Sequence, residues 1–487
     1  MTFADAMNKE VSGKLTENGA FAYNSISNPL IELFAQIGAL RTRSEEEIEK
    51  KFLSAYHYNP ILTTKMLFYA GNIRGGLGER RTFRICLRAL ANYDPMVVAA
   101  NVENIGRYNR FDSLFCLIGT RAEEVIWYFI KNKLEDDMFL AIHKKPVSLL
   151  AKWMPSEKAS SKKTKEIYHT ALKRLNLTPR AYRKKISYLR KYIDVTERKM
   201  SAKKWNEINY PQVPSLAMKN YHAAFYKHDK ERFGDYLVEV SKGEKKINAS
   251  TLFPYNLTRD YVTHEKPKDP VIEEQWKALP NYVKGDNNII VMADVSGSMC
   301  GTPMETSIGL AIYFAERNTG AYKDVFMTFS SEPRFMKIRP MDSLYSKVNA
   351  VLHGEVGYST NLKAAFDKIL DVAVSNGILS KDMPQAIVVI SDMEIDKYMR
   401  GYGMDFIETV KEEYAEYGYK LPKLILWNVE ARHDTYLTQS EDVIMVSGQS
   451  VSVFNNFIGA LNGETAMEVM LRTLEDPMYD AVVTEFC

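Results

Sequence analysis

The last 200 residues carry the pattern that most limits what this chain can fold into. "NIIVMADV" (288–295), "DVFMTF" (324–329), "RFMKI" (334–338), "QAIVVIS" (385–391) and "KLILWNV" (423–429) are short apolar runs, most of them rich in β-branched residues. They are separated by stretches with helical spacing such as "METSIGLAIYFAERN" and "NLKAAFDKILDVAVSN". Strands that are apolar on both faces need cover on both faces, so the alternation predicts a doubly wound, mostly parallel sheet. In such folds ligands bind outside the carboxyl ends of the strands, and the first run ends in "DVSGS".

The preceding 260 or so residues read as helical. "NPLIELFAQIGALR" spaces Leu30, Leu33, Phe34, Ile37 and Leu40 on one face, and Asn28 with Pro29 makes a helix start. "PILTTKMLFYAGNI", "RTFRICLRALANY" and "EEVIWYFIKNKL" repeat that periodicity, and a longer helix is expected over about 214 to 241 with Tyr221, Phe225, Phe233 and Tyr236. No strict sequence repeat is present, yet successive amphipathic helices with short links suit a helical solenoid. The charged, proline-bearing "THEKPKDP" (263–270) reads as a linker. The expected class is therefore α + α/β: an all-α, HEAT-like module over 1–262, a linker over 263–285 and a doubly wound domain over 286–487.

No basic head precedes an apolar run at the N-terminus, and no stretch of about 18 apolar residues occurs, so neither secretion nor a membrane span is expected. Cys86, Cys116, Cys300 and Cys487 are scattered without C-x-x-C pairing, which points to reduced thiols in a cytoplasm and away from disulfides or zinc.

Asp294, Ser296 and Ser298 set one carboxylate and two hydroxyls along a turn that Gly297 allows to bend. Turn and N-cap chemistry explains two serines alone. Thr360 at a loop-to-helix junction and Asp392 directly after another apolar run would bring oxygens from three loops to the same sheet edge. Such a hard-oxygen set suits Mg2+, with Mn2+ or Ca2+ as substitutes, and leaves room for an outside carboxylate. A serine hydrolase is disfavoured because G-x-S-x-G is absent around Ser296 and Ser359, with His353 the nearest candidate base. A D-x-D phosphatase is not supported either, since serine stands two residues after Asp294. Glu394 and Asp396 could add a second carboxylate shell, but read first as exposed acidic residues starting a loop.

This D-x-S-x-S signature, followed in order by Thr360 and Asp392, resembles the metal-ion-dependent adhesion site of von Willebrand factor A domains over about residues 286 to 487. The resemblance implies a metal-mediated binding module and not an enzyme, with Asp294, Ser296, Ser298, Thr360 and Asp392 as ligands. Ahead of it, "FYAGNIRGGLGERRTFR", "IGRYNRFDSLF", "LAKWMPS" and "KINASTLFPYNL" resemble an uncharacterised plant and viral family with a C-terminal A-like domain. That family is itself similar to the Ro/TROVE ribonucleoprotein autoantigens, which close a ring of helical repeats with an A domain and bind small or misfolded RNAs.

The net charge of +3 hides an asymmetry: residues 144 to 204 hold 19 Lys plus Arg against 4 Asp plus Glu, a local +15 that leaves −12 elsewhere. Through the Ro resemblance this segment is the expected contact for structured or single-stranded RNA, with Arg180, Arg183, Lys184, Lys185, Arg190 and Lys191 on one helix. Tyr182, Tyr188 and Tyr192 interleave with these cations, to stack on bases or to pack between helices. A solvated helix face is the plainer account, and an acidic protein is the alternative partner. In "GNIRGGLGERR", Arg74, Arg80 and Arg81 flank Gly75, Gly76 and Gly78, either as a phosphate cradle or as a helix-helix turn; no P-loop Lys-Ser/Thr follows. The expected function is an RNA-binding or ribonucleoprotein scaffold. A metal-dependent protein-assembly factor without RNA comes second and a metal-assisted hydrolase a distant third.

Overall fold

A computed structural model describes residues 13–16, 21–283, 288–329, 331–354, 361–395, 406–438, 440, 443–461 and 463–484. The described chain forms helices and two sheets, an α + α/β organisation. Its strands are β1 (Gly13–Leu15), β2 (Phe21–Tyr23), β3 (Ile289–Asp294), β4 (Val325–Phe329), β5 (Arg334–Lys337), β6 (Ala386–Ser391), β7 (Lys423–Asn428) and β8 (Ile444–Ser447). β1 and β2 pair as a small antiparallel ribbon, whereas the other six form one sheet in the order β5-β4-β3-β6-β7-β8. All its pairings are parallel except β4 with the exposed edge strand β5.

Two compact units emerge, and neither follows the 1–262/286–487 division expected from the sequence. One comprises Met1–Tyr58, Gly75–Leu77 and Ala249–Asp476; the other comprises Asn59–Arg74, Gly78–Asn248 and Pro477–Cys487. The reason lies in where apolar and polar groups find partners.

In the sheet-bearing unit, β3 and β6 are buried along their whole length. The Thr302–Arg317 helix is buried from Pro303 through Ala315, as a helix enclosed on every side must be. One of its neighbours is the Pro254–Val262 helix, where a Cβ on Gly309 would stand 3.0 Å from Pro254 Cβ. Glu305, 1% exposed, accepts from Arg259 Nε at 2.9 Å and Thr263 Oγ1 at 2.6 Å. The stretch expected as a linker contains a helix, Pro270–Lys277, that buries Val271, Ile272 and Trp276. The N-terminal residues also join this unit. Gly38 N donates to Ser447 Oγ at 2.9 Å, Ala431 N donates to Ala39 O at 2.9 Å, and Tyr23 exchanges two backbone bonds with Tyr436.

Among its described residues the other unit holds helices and no strand. Asn59-Pro60, Asp94-Pro95 and Thr178-Pro179 open three of its helices, each polar side chain accepting an N–H of the first turn, as Asn28 and Asp269 do in the sheet-bearing unit. The helix expected over 214–241 is two, Ser215–His228 and Lys230–Ser241. The break falls at Asp229 (φ −150°, ψ 48°), whose carboxylate is held by Tyr210 Oη at 2.6 Å and by Arg232. The chain's last described residues belong to this unit: Asn104 Nδ2 donates to Ala481 O at 2.7 Å, Asn101 Nδ2 to Val483 O at 2.6 Å, and Asn72 Nδ2 to Tyr479 Oη at 3.2 Å. No described helix is long and apolar enough to cross a membrane.

Candidate metal centre and basic cleft

Parallel β3 and β6 lie side by side, so Asp294 and Asp392 leave the sheet at the same carboxyl edge. Both are buried. The Asp294 carboxylate takes Ser296 N–H at 2.9 Å on Oδ1 and Ser391 Oγ–H at 2.6 Å on Oδ2. Ser296 and Ser298 hold their hydroxyl oxygens 3.1 Å apart. Adjacent ligands of an octahedral Mg2+ at about 2.1 Å stand about 3 Å apart, so this pair has the right spacing. Burial first, and then the charge of Asp392, pushes the Asp294 carboxyl up to about 7. Two neighbouring buried carboxylates are a place where positive charge is favoured.

Part of that charge comes from Arg432, four residues beyond β7, whose guanidinium is ion-paired with Asp392 Oδ2. Asp392 Oδ1 accepts Glu394 N–H at 3.2 Å, and the intervening Met393 adopts a left-handed φ of 63°, a strained conformation for a non-glycine residue. Arg432 is itself anchored, because its carbonyl accepts Arg43 Nη1 at 2.8 Å and Asp434 pairs with Arg43 and Lys51. Glu430, its carboxyl raised mainly by burial, stands 3.9 Å from Arg432 Nε.

The structure thus brings Asp294, Ser296, Ser298 and Asp392 together, while Thr360 lies outside the described residues. Among the described residues no three His, Cys, Asp or Glu side chains form a metal-ligand group, so a cation here would rely on serine hydroxyls. The donor set fits a hard divalent ion. Glu394, expected to be exposed, is 1% exposed and accepts Thr435 Oγ1 at 3.0 Å; Asp396 lies outside the described residues. His353 is an exposed residue at a helix end, its Nδ1 against Asn349 O. No sequence motif marks Arg432 or Ser391. Their signal is position, one closing β6 and one just past β7 at the ligand-binding edge.

In the helical unit, the Pro179–Tyr192 helix buries Tyr182, Ile186 and Leu189 and turns Arg180, Arg183, Lys184 and Lys191 outward. With Ser187, Tyr188 and Arg198 these four line an open concavity of about 640 Å³ that has no carboxylate on its walls. Arg183 has a loose partner in Glu157 at 3.6 Å. Arg198 belongs to the 144–204 segment but lies beyond the helix that carries the six named cations. Arg190 is a correction: its guanidinium donates to the carbonyls of Ala151 (2.9 Å) and Met154 (2.6 Å) and to Ser156 Oγ (2.8 Å), so it fastens the neighbouring segment and does not face the cleft. Lys185 is half-buried. Of the tyrosines, Tyr182 is packed, with its hydroxyl on Pro155 O at 2.7 Å. Tyr188 stays exposed, and Tyr192 donates to Lys145 O at 2.9 Å.

The glycine-rich stretch is a turn between two helices. Asn72 Oδ1 accepts Arg74 N–H at 3.0 Å, and Gly78 supplies a positive φ of 66°. Arg74 is exposed in the turn, and Arg80 and Arg81 are exposed at the head of the Arg80–Tyr93 helix.

A model described as "Domain of unknown function (DUF2828)" matches residues 16–109 and 126–288, more than half of the chain. The chain belongs to that family. The DUF2828 match stops one residue short of β3, and a second model, "Domain of unknown function (DUF7788)", takes over at 288–481. Neither match is to a von Willebrand A or Ro/TROVE family. The chain is similar to an uncharacterized protein, L728, of Acanthamoeba polyphaga mimivirus, 26% identical over 507 residues that cover 94% of this chain and 87% of that one. The DUF2828 region contributes the basic cleft, whereas the described oxygens of the candidate metal centre fall in the DUF7788 region.

Proposed function

We propose that this DUF2828 chain is a non-enzymatic RNA-binding scaffold of the cytoplasm. In this reading a HEAT-like, TROVE-like helical module carries the RNA. A von Willebrand A-like domain holds Mg2+, or Mn2+ or Ca2+ in its place, through Asp294, Ser296, Ser298, Thr360 and Asp392, and captures a carboxylate from a protein partner. The observation that carries the RNA assignment is the cleft itself. Five cations, Arg180, Arg183, Lys184, Lys191 and Arg198, line one concavity with an exposed tyrosine and no acid among them. Phosphate backbones neutralise such surfaces by counterion release, and tyrosine offers a sequence-tolerant stacking face.

A second reading, a metal-dependent assembly factor whose cleft meets an acidic protein, is favoured by the Ser296–Ser298 oxygen spacing beside two carboxylates. Salt separates the two. RNA affinity measured by filter binding should fall linearly on a log-log plot against salt, with a slope set by the phosphates contacted. Purification from cells with and without chelator, followed by sequencing of bound RNA and mass spectrometry of bound protein, tests both halves. Absence of RNA together with chelator-sensitive protein capture would favour the assembly factor. Thr360→Val should weaken chelator-sensitive capture and leave RNA recovery unchanged.

A further inference from the structure

The head of the Arg80–Tyr93 helix breaks two local rules. Arg80, Arg84 and Arg88 recur every fourth residue, which stands like charges in one row, and Arg81 adds another beside them. The helix dipole disfavours cations in the first turn, where the only acid at hand is the buried Glu79 at the N-cap. Placing charge where helix stability alone opposes it is a mark of function.

Tertiary structure concentrates that charge further. Arg84 approaches Asp112 Oδ2 at 2.9 Å and Arg80 at 3.4 Å; Arg110 bonds the same oxygen and also donates through Nε to Oδ1 at 2.9 Å. Three guanidinium groups share one carboxylate, so the cluster retains two positive charges. Burial, followed by repulsion from Arg110, lowers the Arg80 guanidinium to about 10 even with Asp112 beside it. The groups are fixed and their side chains are part-exposed, although Arg84 Nη2 itself is buried. Arg110 lies over the Trp153 ring at 3.8 Å, Arg84 Nε donates to Ser113 Oγ at 3.2 Å, and the Arg80, Arg84 and Arg110 side chains are 43%, 30% and 33% exposed.

We propose that Arg80, Arg84 and Arg110, spaced by Asp112, form a seat for a phosphate dianion. Two uncompensated charges match a dianion, and planar guanidinium forks match tetrahedral phosphate oxygens. The source is either free inorganic phosphate or the terminal phosphate monoester of a nucleic acid. The seat stands apart from the RNA reading, which rests on the cleft lined by Lys184.

Titration calorimetry of the full chain with inorganic phosphate, at ionic strength held by sodium chloride, tests it. Saturable binding is expected. It should weaken at least tenfold in Arg80→Gln, partly recover in Arg80→Lys, and stay unchanged in a control at the exposed Lys131, Lys131→Gln, with circular dichroism confirming the fold of each variant. Arg80 is the most exposed of the three, so its loss spares the Arg110–Asp112 pair. Absence of saturable phosphate binding in the wild type, or wild-type affinity retained in both Arg80→Gln and Arg84→Gln, overturns the seat. Oligoribonucleotides with a 5′-phosphate or a 5′-hydroxyl then identify the source. A preference for the phosphorylated end that Arg80→Gln abolishes supports a nucleic-acid terminus, and equal affinity beside intact phosphate binding supports free phosphate.

Discussion

Arg432 pairs its guanidinium with Asp392 Oδ2, at the sheet edge where Asp294, Ser296 and Ser298 gather. A tethered cation thus occupies part of the position in which a divalent ion would be most favoured. A divalent ion bound there would compete with Arg432 for one carboxylate.

Removal of that competitor is the first test. Arg432→Gln should raise Mg2+ affinity several-fold in calorimetry while lowering the melting temperature without metal, because Asp392 is left buried and unpaired. Added Mg2+ should restore the lost stability. Weaker Mg2+ binding in the variant would mean that Arg432 orients Asp392 and does not compete for it.

A bound cation would compete with the proton for Asp294 in turn. Its folded value of about 7 lies above 3.8, so the folded state holds the proton more tightly than the unfolded chain does. Stability in the absence of metal therefore falls as pH rises from about 4 to about 7 and is level above that. Mg2+ affinity should drop about tenfold per pH unit below 7, and the melting-temperature gain from Mg2+ should be larger at pH 8 than at pH 5.5. Asp294→Ala should abolish both the binding and its pH dependence.

Cleft and scaffold arginines should part company on mutation. Reversal of Arg183, Lys184 and Lys191 to Glu should weaken RNA binding by about 1 kcal/mol or more per lost phosphate contact at moderate salt and flatten the salt slope, with the melting temperature nearly unchanged. Arg190→Ala should instead destabilise the protein by roughly 2–3 kcal/mol, because three of its acceptors lose a charged donor. Unfolding curves beside filter binding distinguish the two outcomes.

Gly38 and Gly309 make a steric pair of tests. A Cβ on Gly38 would lie 2.6 Å from Ser447 O, a backbone atom, so Gly38→Ala must force β8 and the N-terminal segment apart. A loss of about 3 kcal/mol is expected. Gly309→Ala meets its nearest neighbour, a side-chain carbon, at 3.0 Å, and should cost less. Denaturant midpoints at unchanged slope would give both values.

The alternating runs "NIIVMADV", "QAIVVIS" and "KLILWNV" determined the parallel core because residues buried on both faces leave a chain few alternatives, and β3, β6 and β7 form there. Helix starts were equally local: Asn28-Pro29 and Thr178-Pro179 carry their caps within three residues. β8 went unread, as did the break at Asp229, since a long periodic pattern hides a capping contact that depends on Tyr210. Asp294, Ser296 and Ser298 were legible as a group because one turn holds them. Their environment was not, because Ser391 reaches Asp294 across 97 positions and Arg432 reaches Asp392 across 40. Tertiary structure alone decided the boundaries of the compact units. Burial of residues 29–40 against β8, and of 477–484 among the helices, depends on shape complementarity between distant segments, and no local periodicity encodes it. It also decided which arginines stay available, because Arg183 and Arg190 have the same chemistry in the same helix and differ in whether a ring of carbonyls happens to face them.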